Sequence, residues 1–193
     1  MLHKKHFEII NRLTGDYRIK IYGRELIGKV SLSQKNIALT LDELEDMGIL
    51  KSEKKGNMKF FSLNLNNQLI KDIIILAELD KKIHFLEDNI KLREIFKDDT
   101  RTIGIFGSYA KGTEKPESDI DMFIIGGKKP KDYKQLGEVY NLYISIKYFT
   151  EKEFIRLAEK NNPLVSEIME NHILIFNIEN LVRIAWRYYY GFD

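Results

Sequence analysis

Two aspartates separated by one residue carry the clearest chemical signal in the chain. Asp119 and Asp121 lie in the string SDIDMFII. If this string is a strand, both side chains lie on one face, about 7 Å apart. Neighbouring carboxylates repel each other unless a cation lies between them. Such oxygen ligands suit Mg²⁺ or Mn²⁺ and leave other coordination positions open for phosphate, so the pair predicts a divalent metal site.

A glycine and a serine precede this pair. Gly107 and Ser108 follow the apolar string TIGIF, and ten residues separate Ser108 from Asp119. Glycine allows a ligand to approach the backbone closely, and the free amides of a helical turn beginning at Ser108 favour an anion. A phosphate cradle that faces a metal site is what nucleotidyl transfer requires, because the metal holds the triphosphate and activates the attacking oxygen.

The combined string, GSYAKG at 107–112 and SDID at 118–121, resembles the minimal branch of the DNA polymerase beta-like nucleotidyltransferase superfamily. The resemblance covers about residues 98–176. It implies ATP or another nucleoside triphosphate as substrate and Mg²⁺ or Mn²⁺ as cofactor. The residues that it assigns are the catalytic and metal-binding Asp119 and Asp121 and the nucleotide-binding Gly107, Ser108 and Lys111. Lys111 stands where the family commonly has arginine, and it is either a phosphate contact or a surface lysine.

One feature departs from the family pattern. Active members carry a third carboxylate on a later strand, but the predicted strand at 142–149 contains no Asp or Glu. Ser145 is the best match for that position, while Glu138 and Glu151 lie just outside the strand. Without the third carboxylate, three outcomes stay open. Catalysis is slow, or another residue replaces the missing metal ligand, or catalysis is lost while nucleotide binding remains.

The first 65 residues predict three helices and a hairpin. Ser33 is a good N-cap for the third helix, because its hydroxyl can accept a bond from the first turn, and Gly48 is a good stop. The predicted helices are 3–14, 22–29 and the segment that follows Ser33, and the predicted strands are 49–53 and 58–64.

This layout, with the string LDELEDMGIL at 41–50, resembles the winged helix-turn-helix domains of MarR-like and ArsR-like DNA-binding proteins. The resemblance implies double-stranded DNA as a partner. The implied DNA contacts are Gln34, Lys35 and Asn36 at the start of the third helix and Lys54 and Lys55 in the hairpin. Acidic residues further along the same helix mean that its N-terminal end would enter the groove.

Residues 66–97 predict one long helical stretch with a break near residues 88–89. Its apolar positions approach heptad spacing. Two readings stay open: a connecting helix, or a helix that forms a homodimer.

After this stretch the pattern alternates between strands and helices, which gives an α/β (α+β) fold with a small mixed sheet. The predicted strands are 102–106, 118–125, 142–149 and 172–176, and the predicted helices are 131–141, 151–160, 163–171 and 178–190. The expected domains are a winged helix at 1–65, a linker at 66–97 and a nucleotidyltransferase domain at 98–193.

Composition supports a folded, cytoplasmic protein without a membrane segment. The 193 residues are 44% hydrophobic and contain no cysteine, so metal ligands other than thiolates are required. Residues 1–65 carry a net charge of +4 and residues 66–193 one of −2. The leading hypothesis is transfer of AMP from ATP to a hydroxyl of a protein, such as a partner toxin, or of a small molecule. The alternatives are a transcriptional regulator with a degenerate enzyme domain, and an antitoxin that masks its toxin by contact.

Overall fold

A helix carries the boundary between the two parts of the chain. The computed structural model describes residues 1–126 and 131–190, and its contacts divide the chain into two units, Met1–Ala77 and Glu78–Asp193. The boundary falls within the helix Ile70–Asp88, and each unit contains its own β-sheet. Residues 127–130 and 191–193, which belong to the predicted domain 98–193, lie outside the described residues.

Besides the first part of the helix Ile70–Asp88, the first unit contains two short helical segments, one longer helix and an antiparallel sheet of strand order β1-β3-β2. Its elements are α1 (Lys4–Ile10), β1 (Ile21–Tyr22), a 3₁₀ turn (Gly23–Leu26), α2 (Gln34–Asp46), β2 (Leu50–Lys55) and β3 (Met58–Leu63). The predicted hairpin is confirmed, but the predicted helices 3–14 and 22–29 are too long. The second is only the 3₁₀ turn, because Ile21 and Tyr22 pair with β3 and Ile27 already has extended backbone.

The end signals of α2 behave as the sequence predicts. The Ser33 hydroxyl accepts a hydrogen bond from the Asn36 amide at 3.3 Å, and Gly48 follows the helix with φ +68°. Ile37, Leu41 and Leu44 share the buried face. These contacts fix the orientation of the helix, so its first turn is exposed.

The predicted break in the long helical stretch is confirmed, since α3 spans Ile70–Asp88 and α4 spans Ile90–Ile95. Leu92 and Ile95 join the core of the second unit. Leu76, Ile83 and Ile90 are exposed, and homodimer formation through them stays a prediction. Within residues 1–126 and 131–190, no helix combines the length and apolarity needed to cross a membrane.

The second unit contains a small mixed sheet, as predicted, and its four strands have the order β6-β5-β4-β7. Strands β5 and β6 are parallel, and the other neighbours are antiparallel. The elements after α4 are β4 (Thr102–Phe106), α5 (Gly107–Lys111), β5 (Ile120–Ile125), α6 (Tyr133–Val139), β6 (Ile144–Phe149), α7 (Glu151–Glu159), α8 (Pro163–Glu170), β7 (Ile173–Phe176) and α9 (Ile178–Tyr190).

Helices cover both faces of this sheet. On one face, Ile105, Met122 and Ile144 belong to a core cluster that includes α4 and Tyr133 of α6. On the other face, Phe123 stacks on Phe154 of α7, with ring centroids 6.4 Å apart. Asp121 alternates with Met122 along β5 and therefore lies on the Phe123 face.

Two predicted strands of the second unit begin two residues later than expected. The N–H of Ser118 donates to the Lys115 carbonyl and the Lys115 N–H donates to the Ser118 hydroxyl, so a turn occupies the positions before β5. Asp119 consequently precedes the strand, although the prediction placed it within one. Likewise, the N–H of Leu142 donates to the Gly137 carbonyl at the end of α6, which delays β6 until Ile144.

A buried carboxylate anchors α3 to the second unit. Glu78 is 1% exposed and lies 2.8 Å from Lys81 Nζ and 3.4 Å from His172 Nε2. Burial alone would raise the pKa of Glu78, but the close contacts with Lys81 and His172 outweigh it and lower this pKa to about 2. The ionised form is therefore bound more favourably in the folded than in the unfolded chain.

We expect Glu78→Ala to lower the free energy of unfolding of the second unit by about 3 kcal/mol at pH 7, because Lys81 loses its buried ionic partner and His172 its buried neighbour. Since the folded pKa is depressed, the contribution is present above about pH 4.5 and is lost as the pH falls towards 2. Urea titrations followed by fluorescence of the single tryptophan, Trp186, measure this unit. Glu87→Ala on the exposed face of α3 is the control, and equal effects of both variants would contradict the prediction.

Candidate nucleotide and metal site

The strand register brings the predicted site residues to one end of the sheet. Asp121 pairs with Phe106, the last residue of β4, and with Ser145 on β6. Gly107 and Ser108 follow Phe106 directly as the start of α5. Residues that are distant in sequence thus meet around the Asp121 side chain, with Asp119 two positions before it.

Gly107 allows this close approach. Its φ is +71°, a backbone conformation that residues with a side chain rarely adopt, and a Cβ placed there would lie 2.6 Å from Asp121 Oδ2. A carboxylate oxygen therefore lies against a bare stretch of backbone. This geometry explains why the sequence requires glycine immediately after β4.

The surroundings of Asp121 disfavour the ionised form of its carboxyl group. The pKa of its carboxyl group is raised, first by burial, then by the negative charge of Asp119 and by that of Glu167, while Lys147 acts in the opposite direction. A cation bound between the carboxylates would remove this repulsion. Binding of a cation between these carboxylates would therefore be electrostatically favourable.

Ser145 lies where the sequence analysis placed it. It is directly opposite Asp121 in the parallel β5–β6 pair, and two residues later Lys147 pairs with Phe123. Because alternate residues of a strand share a face, Ser145 and Lys147 both lie on the face of Asp121. Of the carboxylates just outside this strand, Glu151 is paired with Arg183 at 2.8 Å.

Two charged residues near Asp121, Lys147 and Glu167, were not predicted from the sequence. Lys147 had a detectable signal, since it follows Ser145 by two positions on the same predicted strand. Glu167 lies on α8, and no spacing relates it to the motif. Its carboxylate accepts a hydrogen bond from Lys111 Nζ at 2.7 Å, across 56 positions of sequence. The lysine that was predicted to contact phosphate is therefore already paired.

The protein ligands at this site suit a divalent cation but are too few to complete its coordination. Asp119 and Asp121 supply carboxylate oxygens and Ser145 a hydroxyl, which are hard ligands suited to Mg²⁺ or Mn²⁺. Among the described residues, no three His, Asp or Glu side chains are close enough to hold an ion together. The phosphates of a bound nucleotide would have to complete the coordination, so an ion alone should bind weakly.

Ser145→Asp is expected to tighten Mn²⁺ binding about tenfold in the absence of nucleotide, because it adds a third carboxylate opposite Asp121. Electron paramagnetic resonance of free Mn²⁺ measures the affinity. Ser145→Asn, which has nearly the same shape without the charge, is the control. If both variants bind Mn²⁺ equally, Ser145 does not face the ion.

The predicted DNA-contacting residues lie on the surface of the first unit. Gln34, Lys35 and Asn36 form the exposed first turn of α2. Lys54 and Lys55 lie at the exposed end of the β2–β3 hairpin, where Lys55 Nζ is 3.7 Å from Glu53.

The acidic residues of α2 are largely neutralised by cations of the same unit. Lys59 Nζ lies 2.9 Å from Asp42 and 2.7 Å from Glu45. Glu43 accepts hydrogen bonds from Lys5 at 2.7 Å and from His6 at 2.8 Å. These pairs lower the pKa of both glutamates. The negative charge that the sequence placed on this helix is therefore partly cancelled at the surface.

Comparison with known proteins supports a nucleotidyltransferase domain in the second unit. Residues 90–180 match the family model described as polymerase beta, nucleotidyltransferase. The chain is also 29% identical over 108 residues to a candidate protein adenylyltransferase of Methanocaldococcus jannaschii, a match that covers 51% of this chain and 71% of that protein. No solved structure gives a significant match.

Proposed function

We propose that the chain transfers AMP from ATP to a hydroxyl group, with a divalent cation, Mg²⁺ or Mn²⁺, held by Asp119 and Asp121. The observation that carries this proposal is the placement of Asp121 against Gly107 and opposite Ser145. The bound cation would neutralise the triphosphate and lower the pKa of the attacking hydroxyl. The match at residues 90–180 supports the same reaction class.

The residues of the chain would position the nucleotide and the cation for the reaction. The bare backbone of Gly107 lets the Asp121 carboxylate lie directly against the start of α5, and the half-buried Ser108 offers a hydroxyl next to it. Asp121 holds its charge in a partly desolvated place, where it orients a cation more strongly than it would in water. The acceptor oxygen then bonds to the α-phosphorus as the bond to the leaving pyrophosphate breaks.

A protein is the proposed acceptor class. The Methanocaldococcus jannaschii relative is described as a candidate protein adenylyltransferase, and the alignment covers 71% of its length. A toxin bound by this chain would be one such acceptor, and a small molecule would be the other class. The acceptor assay should therefore include proteins co-purified with the chain as well as small hydroxyl compounds.

Radiolabelled ATP tests the reaction. With Mg²⁺ and the co-purified acceptor, wild-type protein should transfer label from α-labelled ATP, whereas Asp119→Ala combined with Asp121→Ala should give only background. Label from γ-labelled ATP should not appear on the acceptor, because pyrophosphate leaves. Transfer that survives both substitutions would refute the assignment of these aspartates.

We also propose that the first unit is a winged helix that binds double-stranded DNA. Its support is the exposed first turn of α2, the paired acidic residues behind that turn, and the lysines at the hairpin end. The basic residues would contact backbone phosphates and α2 would enter the major groove by its N-terminal end.

Ser145 favours a second candidate function, a DNA-binding regulator whose nucleotidyltransferase domain binds nucleotide without turnover. A serine opposite Asp121 supplies no charge to a metal. The two candidates differ in one measurement. A regulator of this kind should bind ATP, and ATP should alter its affinity for duplex DNA, while pyrophosphate is never released.

A further inference from the structure

The second unit contains two lysines near Asp121 whose situations differ. Lys111, which follows the Gly107-Ser108 motif, donates to Glu167 at 2.7 Å. Lys147 lies on β6 and is exposed, and within the described part of the chain its side chain makes no hydrogen bond or ion pair. A lysine without a partner can bind an incoming anion without first breaking an existing contact.

The register places Lys147 on the site face. Ser145 is opposite Asp121, and Lys147 is the next residue of β6 on the same side of the sheet. Its side chain extends into solvent from β6, which is an edge strand of the sheet.

A triphosphate that approaches this end of the sheet meets three negative charges. Asp119, Asp121 and Glu167 all lie in the neighbourhood, and Lys111 already compensates Glu167. One divalent cation between two aspartates leaves much of the triphosphate charge unbalanced. A flexible lysine on the same face can follow the phosphates as a point charge.

We infer that Lys147 is the phosphate-binding lysine of this site and that it, rather than Lys111, contacts the triphosphate of the bound nucleotide. This inference rests on the proposed function in assuming that the site takes a nucleoside triphosphate. In the family pattern this strand supplies a metal-binding carboxylate, whereas here β6 would supply a lysine that binds phosphate.

Equilibrium binding of ATP, ADP and AMP in EDTA tests the inference without metal or turnover. Lys147→Ala should weaken ATP binding about tenfold, the loss expected for a charge-assisted hydrogen bond, and progressively less for ADP and AMP. Lys147→Arg should restore most of the affinity. Lys111→Ala should weaken ATP binding less than Lys147→Ala does, and the exposed Lys152→Ala on α7 should leave it unchanged.

The outcomes separate the inference from the proposed function. If wild type binds ATP and Lys147→Ala binds it equally well, or if Lys111→Ala loses as much, the inference is overturned while nucleotidyl transfer stands. An equal loss for ATP, ADP and AMP also overturns it, because the effect is then not on the outer phosphates. If wild type binds none of the three nucleotides even with Mg²⁺, both the inference and the proposed function fail.

Discussion

Asp121→Asn is expected to reduce nucleotidyl transfer about a thousandfold while making the folded protein slightly more stable at pH 7. Transfer falls because the site loses one of the two carboxylates that would hold the cation. Stability rises because the folded surroundings raise the pKa of Asp121, first by burial and then through Asp119. Its ionised form is therefore less favourable in the folded than in the unfolded chain.

The sign of the stability change depends on pH. A carboxyl group with a raised folded pKa destabilises the protein above that pKa and has no such effect once it is protonated in both states. The gain from Asp121→Asn should be present at pH 7 and should vanish on acidification below the usual aspartate range. Because the side chain is only partly buried, solvent screening should keep the gain below about 1 kcal/mol.

Glu117→Gln is the matched control, since it removes an exposed carboxylate from the loop just before the motif. It should change neither transfer nor the unfolding free energy. Radiolabel transfer at pH 7 and urea unfolding at pH 7 and pH 3 give the two measurements on the same preparations. A loss of both activity and stability in Asp121→Asn would show that the carboxylate supports the fold rather than the chemistry.

The elements of this protein are well predicted where local rules decide them. The cap at Ser33, the stop at Gly48 and the break after Asp88 are local features, and the structure confirms all three. The helix predicted at 22–29 is wrong because tertiary pairing prevails over local preference. Ile21 and Tyr22 join the sheet, and only a 3₁₀ turn follows them.

The candidate site is predictable only in part, for a similar reason. The motif residues Gly107, Asp119 and Asp121 are close in sequence, and two paired strands bring their segments together. Ser145 lies opposite Asp121 because β5 and β6 pair as parallel strands in this register. Glu167 on α8 contacts Lys111 across 56 positions of sequence, and no periodicity in the chain encodes that contact.

The largest effect expected in the first unit concerns duplex DNA. Lys54→Glu combined with Lys55→Glu should weaken duplex binding about a hundredfold at low salt, because two cations are replaced by two anions at the exposed hairpin end. If each lysine contacts one phosphate, the slope of log K against log salt should also fall in magnitude by about 2. Fluorescence anisotropy of a labelled duplex across a salt series measures both quantities.

The pairing of charges around α2 makes this prediction specific. Lys59 forms ion pairs with Asp42 and Glu45. Its replacement would leave these two carboxylates unpaired, so weaker DNA binding could come either from a lost phosphate contact or from repulsion of DNA by the carboxylates. Lys54 and Lys55 have weaker attachments, because Lys55 lies 3.7 Å from Glu53 and Lys54 has no ion pair within the described residues. Their substitution should therefore leave the first unit folded.

Lys152→Glu combined with Lys160→Glu provides the matched control, since it makes the same change in net charge on exposed positions of the second unit. If duplex binding depends on the hairpin, this control should retain most of the affinity and the full salt slope. Equal weakening by both double variants would mean that only the net charge of the chain attracts DNA. In that case the first unit would not be a winged helix that reads DNA through its hairpin and α2.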